Sequence, residues 1–325
     1  MFPLARSVLV GGACLVALVG CSRRSTPATR AEARQTATEM HTADAAPIHR
    51  RRGGMDVTFF VLSDLHFGFG FPDDLKTLPA DPVAQPVGLE RDHQRVIARM
   101  NDLAGLAYPP AIGGTVQAPR GLLLTGDLTE WGRVEEWQHF VAYYGLQGRE
   151  GLLKIPVFEG IGNHDRVHGP WVEQRVAERH GGRRFYSWDW DDLHLVSLGE
   201  APDDEGLAFL ANDLAHYADD VPIVLAFHFA LEGPWSSGNW FTDGDFRQRL
   251  RKTIENRRVV AIFHGHHHAT GYYRWNGFDV YKPGAVKNST HTFSVVHVTD
   301  SNMTVARYDY ESNAWEWWDE KKLSK

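Results

Sequence analysis

Val57-Thr58-Phe59-Phe60-Val61-Leu62-Ser63-Asp64-Leu65-His66 is a run of β-prone apolar residues that ends in a carboxylate and an imidazole. Its lack of polar alternation predicts a strand buried on both faces, with the polar residues placed where the chain leaves the core. The arrangement recurs four times. Gly121-Leu-Leu-Leu-Thr125 runs into Gly126-Asp127, and Ile155-Pro-Val-Phe158 runs into Gly160-Ile-Gly-Asn163-His164-Asp165. Ile223-Val-Leu-Ala-Phe227 precedes His228, and Val259-Val-Ala-Ile-Phe263 precedes His264-Gly265-His266-His267-His268. In α/β sheets, ligands bind beyond the carboxyl ends of the strands, so five clusters distant in sequence can meet there. Gly126, Gly162 and Gly265 suit a backbone that turns tightly beside an ion.

Between the apolar runs, Val96, Ile97, Met100, Leu103 and Ala104 have helical spacing, which predicts a helix over 92–104. The same spacing recurs over 207–217, and 246–254 reads as a further helix before the last buried strand. Helices alternating with buried strands give an α/β layered core. Farther on, Tyr272–Trp275 and Phe278–Tyr281 flank Asn276-Gly277, a hairpin with a tight primed turn. Thr292–Val298 and Met303–Tyr310 continue as an antiparallel meander. With 43% hydrophobic and 12% aromatic residues in 325, the chain can bury one large core. A formal net charge of −7 leaves no basic footprint for nucleic acid.

Clustered carboxylates and neutral imidazoles suit Zn, Fe or Mn, and too few thiols are present for a cysteine-type zinc site. The five blocks, in order and spacing, resemble those of the calcineurin-like metallophosphoesterase superfamily, from about residue 56 to the C-terminus. The resemblance implies a four-layer αββα sandwich whose second sheet is built by the C-terminal strands. It also implies two metal ions and a phosphate-ester substrate. Asp64, His66 and His268 would bind one metal and Asn163, His228 and His266 the other, with Asp127 bridging. His164 would be the catalytic histidine that binds no metal, and Asp165 the carboxylate that orients it. Two ions roughly 3.5–4 Å apart would clamp the attacking and leaving oxygens of an in-line displacement and acidify the shared water that attacks phosphorus.

Not every polar residue in these blocks belongs to that set. His264 and His267 read as structural residues outside the set, and alternation at the strand end turns His267 away from His266 and His268. Thr129 and Glu130 read as loop or helix-cap residues. Purple acid phosphatases would have a metal-bound tyrosine at position 130, so Glu130 points away from that branch. The motifs look most like the small bacterial phosphodiesterases related to class III cyclic nucleotide phosphodiesterases. Phe229, where many of those enzymes have a second histidine, departs from them. A phosphomonoesterase or phospholipid hydrolase on the same site is the enzymatic alternative, and a non-catalytic metal-bound surface protein the alternative of another class. Glycine-rich loops after the ligand blocks offer His168, Trp235 and Trp240 as substrate contacts, although loop aromatics more often pack the loop onto the domain.

At the N-terminus, Arg6 precedes a short apolar run that ends in Leu18-Val19-Gly20-Cys21. The run is short for a membrane span, and its end resembles a bacterial lipobox. Residues 1–20 are therefore expected to be a lipoprotein signal peptide, with the mature chain anchored in the membrane by acylated Cys21. Ser22 resembles the outer-membrane sorting pattern, which places the protein in the cell envelope, facing the periplasm or the surface. Residues 21–54 have few large apolar side chains and are expected to be a disordered tether. The catalytic domain would then span 55–325.

Overall fold

The structure is a computed structural model in which residues 48–233, 244–287 and 290–323 are described. The expected signal peptide, Cys21, most of the tether, Trp235 and Trp240 lie outside the described residues. The chain order is β1 (Asp56–Leu62), α1 (Glu90–Asp102), β2 (Leu122–Leu124), α2 (Val134–Tyr144), β3 (Val157–Glu159), α3 (Trp171–Arg179), β4 (Tyr186–Trp190) and β5 (Leu193–Ser197). It continues with α4 (Asp204–Leu214), β6 (Ile223–Ala226), α5 (Gly244–Ile254), β7 (Val259–Phe263), β8 (Thr270–Trp275), β9 (Phe278–Pro283), β10 (Thr292–Thr299), β11 (Asn302–Asp309) and β12 (Ala314–Lys322).

The opening run forms a central strand, and its alternate side chains divide the interior. Val57, Phe59 and Val61 meet Leu195, Val224, Phe263 and Val296 in a core between two sheets. Phe60 and Leu62 point the other way, toward Val96, Ile97 and Met100 of α1 and Phe140 and Tyr144 of α2. A third core packs Leu207, Leu210 and Leu214 of α4 and Leu250 and Ile254 of α5 on Val196 and Leu225. Three cores separate four layers, helix–sheet–sheet–helix. Each fully buried side chain of β1 contributes about 1.5–3 kcal/mol, and a one-residue slip would exchange the two faces, so the register is strongly specified.

The first sheet has the order β12-β11-β10-β1-β2-β3, and the second β4-β5-β6-β7-β9-β8. β1, β2 and β3 run parallel, as do β5, β6, β7 and β9. The ligand-bearing ends of both sheets can therefore face one region. The hairpin forms as expected, with Asn276 and Gly277 at φ 48° and 93°. The expectation that hairpin and meander together build the second sheet is corrected. β8 and β9 join it, but β10 pairs antiparallel with β1, so β10, β11 and β12 extend the first sheet. Apolar alternation fixes which strands are half-buried, not which strand edge they meet.

Residues 49–54, at the end of the expected 21–54 tether, make contacts with the rest of the described chain. The His49 amide donates to the His216 carbonyl, and the His49 carbonyl accepts from Ala218. Arg51 pairs with Asp300 at 3.0 Å, and the amides of Arg52 and Gly53 both donate to Asp192 Oδ2 at 2.6 Å. The basic cluster thus docks on the folded unit through backbone donors and one ion pair, interactions that composition does not report. Among the described residues, no helix is long and apolar enough to cross a membrane.

Candidate metal centre

Each expected ligand leaves the carboxyl end of a parallel strand: Asp64 and His66 after β1, Asp127 after β2, Asn163 after β3, His228 after β6, and His266 and His268 after β7. The ligand atoms of Asp64, His66, Asp127 and His268 lie within 4.8 Å of one another, and so do those of Asp127, His228 and His266. His66 Nε2 is 3.0 Å from His268 Nε2 and 3.4 Å from Asp127 Oδ2, and His268 Nε2 is 3.4 Å from Asp64 Oδ1. On the other side, His228 Nε2 is 3.1 Å from Asp127 Oδ2. Asp127 thus belongs to both groups, as a bridging carboxylate must.

Asn163 lies next to His164, whose amide donates to Asp127 Oδ1 at 2.9 Å. Asn163 Oδ1 is buried without a hydrogen-bond partner among the described residues. An orphaned buried oxygen is costly in an apoprotein and can be satisfied by a cation. The donor set therefore fits divalent metal ions.

The histidine tautomers are fixed from behind. A backbone carbonyl only accepts, so His228 Nδ1–H donates to Thr125 O at 3.0 Å. His66 Nδ1 faces Glu130 Oε2 at 2.7 Å, and with the proton there Nε2 keeps a lone pair for a metal. The loops are held by strain. Asp64, His66, Asp127, His266 and His268 all have φ between 47° and 69°, left-handed values that cost non-glycine residues about 1–3 kcal/mol each. Gly265 accommodates this turn because a Cβ there would lie 1.8 Å from Ser63 Oγ.

Charge is unevenly distributed over the centre. Burial alone would lower His228, but the charge of Asp127 outweighs it and raises His228 to about 9. Asp127 is held well below the usual carboxylate range, because His228 and other histidines overcome the burial that would raise it. Burial, reinforced by the charge of His228, lowers His266 to about 3, and burial likewise lowers His268. A cation held by Asp127 and His228 would displace a proton there, whereas the lowered His266 and His268 would give one up more readily.

His164 sits beside the ligands, its ring 4.6 Å from that of His66. Its Nδ1–H donates to the Glu130 carbonyl at 2.8 Å, which leaves Nε2 to exchange a proton with substrate. The expected Asp165–His164 contact is not found. Asp165 accepts instead from the Leu128, Thr129 and Gly162 amides and the Thr129 hydroxyl, bracing the loops that carry Asp127 and Asn163. Four donors converging on a buried carboxylate give it a structural role, and sequence adjacency to His164 did not reveal their direction.

Glu130 is more than the expected loop or cap residue: it is buried, and its carboxylate binds both His66 and Lys287. Lys287 had no signal in the sequence, because it follows β9 far from every motif. His93 was also missed. From α1 its Nε2 contacts the Leu65 carbonyl at 3.1 Å, between the two ligands that follow β1. His264 is structural as expected: it is buried, Nδ1–H donates to Gly265 O, and Nε2 accepts from Tyr273. His267 is in neither ligand group. Phe229 packs 4.7 Å from the His266 ring. His168 is exposed, and its Nδ1 bonds the Trp131 carbonyl.

Comparison with known proteins agrees with this fold. The chain is similar in fold to GAP50, the anchor in the inner membrane complex of Plasmodium, at 11% identity and TM-score 0.53 over 83% of this chain and 90% of that one. It is also similar to purple acid phosphatase PPD1 from yellow lupin, at 14% identity and TM-score 0.56 over 82% of this chain and 53% of that one. A dimetal phosphatase from Danio rerio matches at 10% identity and TM-score 0.51 over 82% of this chain and 99% of that one. No curated protein matches. The sequence pattern of calcineurin-like phosphoesterases matches residues 57–270, from the first residues of β1 to the start of β8. The chain belongs to the calcineurin-like phosphoesterase family, metal-dependent hydrolases of phosphate esters.

Proposed function

We propose that the protein is a phosphodiesterase. Bound divalent cations supply Lewis-acid charge and acidify water. Asp127 draws the two ligand groups together. His164, steadied at Nδ1, offers Nε2 to protonate the departing alkoxide or steady a phosphoryl oxygen.

The observation that carries the diester reading is the commitment of the nearby cations. Lys287 is bound to Glu130, and Arg166 to Glu173 and Glu200. The segments 234–243 and 288–289 contain no Lys or Arg. A monoester dianion has one more charge to neutralise than a diester monoanion, and Lys287 and Arg166 are already paired with carboxylates. Phe229 on His266 favours a general diester over a cyclic nucleotide. Phosphomonoester and phospholipid substrates remain the alternatives to be measured. With Mn²⁺ restored after chelation, bis-p-nitrophenyl phosphate is expected to give a kcat/KM about tenfold or more above that of p-nitrophenyl phosphate, at least 1.4 kcal/mol of discrimination. The reverse order would overturn the diester assignment.

The N-terminal pattern supports a cell-envelope lipoprotein anchored through Cys21, in the outer membrane and facing the periplasm or the surface. Metabolic labelling with palmitate that persists in Cys21→Ala would refute the anchor.

A further inference from the structure

Lys287 stands where three segments of the first ligand group meet. Its amide donates to the Asp64 carbonyl at 3.2 Å. Its ammonium chelates Glu130, at 3.0 Å to Oε1 and 2.8 Å to Oε2, and lies 4.8 Å from the Phe69 ring centroid. Glu130 Oε2 is in turn 2.7 Å from His66 Nδ1. Lys287 and Glu130 side chains are only 12% and 7% exposed. A buried ion pair is a poor route to stability, since apolar packing of similar volume does as well or better. It does settle direction: a carboxylate held by a lysine on one side presents a fixed acceptor on the other.

We propose that Lys287 is a positioning residue for metal binding, acting through Glu130 to fix the ring plane and tautomer of His66. The chain Lys287–Glu130–His66 aims the His66 Nε2 lone pair at the point shared with Asp64, Asp127 and His268. His228 needs no such chain, because the Thr125 carbonyl fixes it. Removing Lys287 should therefore weaken one metal site and spare the other. The inference rests on reading these residues as metal ligands in a hydrolase.

The test is stepwise titration of the metal-free full chain with Co²⁺, followed by calorimetry and by the visible spectrum, independent of turnover. Lys287→Met is expected to weaken one of two binding steps about 10–100-fold, as loss of an outer partner of a ligating histidine does. Glu130→Gln should weaken the same step, and Lys287→Met should add nothing in the Glu130→Gln background, because both act along one path. Lys287→Arg, which keeps a donor for Glu130, should recover affinity, and recovery also guards against a folding defect. Wild-type affinity in Lys287→Met, equal weakening of both steps, additive losses, or a Lys287→Arg as weak as Lys287→Met would each overturn the relay. A wild-type protein that takes up no Co²⁺ would instead overturn the metal reading beneath it.

Discussion

Among the described residues, the cluster around His194 and the cluster around Asp127 both set buried histidines against carboxylates, and they are built to different ends. At the amino end of β5, His194 is fully buried, with Nδ1 2.8 Å from Asp189 Oδ1 and Nε2 2.7 Å from Asp213 Oδ2. Tyr217 donates to Asp189, Ser187 donates to Asp213, and the Tyr217 ring lies 3.8 Å from the imidazole. Every strong donor and acceptor of this histidine is used. At the opposite strand ends, His228 Nδ1 is bonded from behind to the Thr125 carbonyl and His66 Nδ1 lies 2.7 Å from Glu130 Oε2, while Nε2 of each is turned toward Asp127. Proximity of imidazole and carboxylate is common to both groups. What separates the ligand site from the structural pair is that its second nitrogens converge on one shared carboxylate, Asp127.

The largest break in this comparison comes from Asp127→Asn. It should lower kcat about 10³-fold or more and reduce metal content below two ions per chain, since the bridging charge is lost to both groups. Activity retained in that variant would remove the functional difference between the two clusters. His164→Ala should lower kcat about 10²–10⁴-fold while elemental analysis still finds the wild-type metal content. A parallel loss of metal would make His164 a ligand instead.

His194→Ala should do the converse. It should destabilise the fold by about 2–3 kcal/mol in denaturant titration, leaving Asp189 and Asp213 without their shared partner, with metal affinity unchanged. The pH dependence has a definite sign. Burial would lower His194, but the hydrogen bonds and charges of Asp189 and Asp213 outweigh it and raise it above its ordinary value. A histidine raised in the folded state stabilises fully below the unfolded pKa of about 6.5, and that contribution is lost as pH rises through the folded value. Asp213→Asn should flatten this part of the stability profile, and an unchanged profile would locate the pH dependence elsewhere.

The smallest effect expected is at Trp131, which is 40% exposed and 6.3 Å from the His164 ring. Trp131→Ala should raise KM for bis-p-nitrophenyl phosphate about two- to tenfold without changing metal affinity, the scale of one aromatic contact. An unchanged KM would make Trp131 an anchor of its loop only.

The ligand blocks were legible because each chemical requirement left a local trace. An apolar run marks a strand, a glycine marks a turn, and although a single Asp or His at its end is most often a turn or capping residue, five such ends in a fixed order point to a shared site. Asp64, His66, Asp127, His228, His266 and His268 were found this way, and they meet within two adjoining groups. Lys287 and His93 left no such trace: one follows β9 and the other lies on α1, and each matters only through what the fold sets against it. Asp165 misled in the opposite sense, because adjacency to His164 suggested a contact that the chain turns away from. The meander misled for a related reason, since alternation describes a strand's faces and is silent about its edges.

By itself, the sequence determined the ligand-bearing strands, the residue types at their ends and thereby the chemistry available, because hydrophobic periodicity and donor identity are properties of short segments. Only the tertiary structure decided which nitrogen of His66 and His228 turns toward Asp127, that β10 pairs with β1, and that Asp165 braces loops while Glu130 lies against His66. These depend on direction, and direction is set where segments far apart in the chain supply the opposing hydrogen-bond partner.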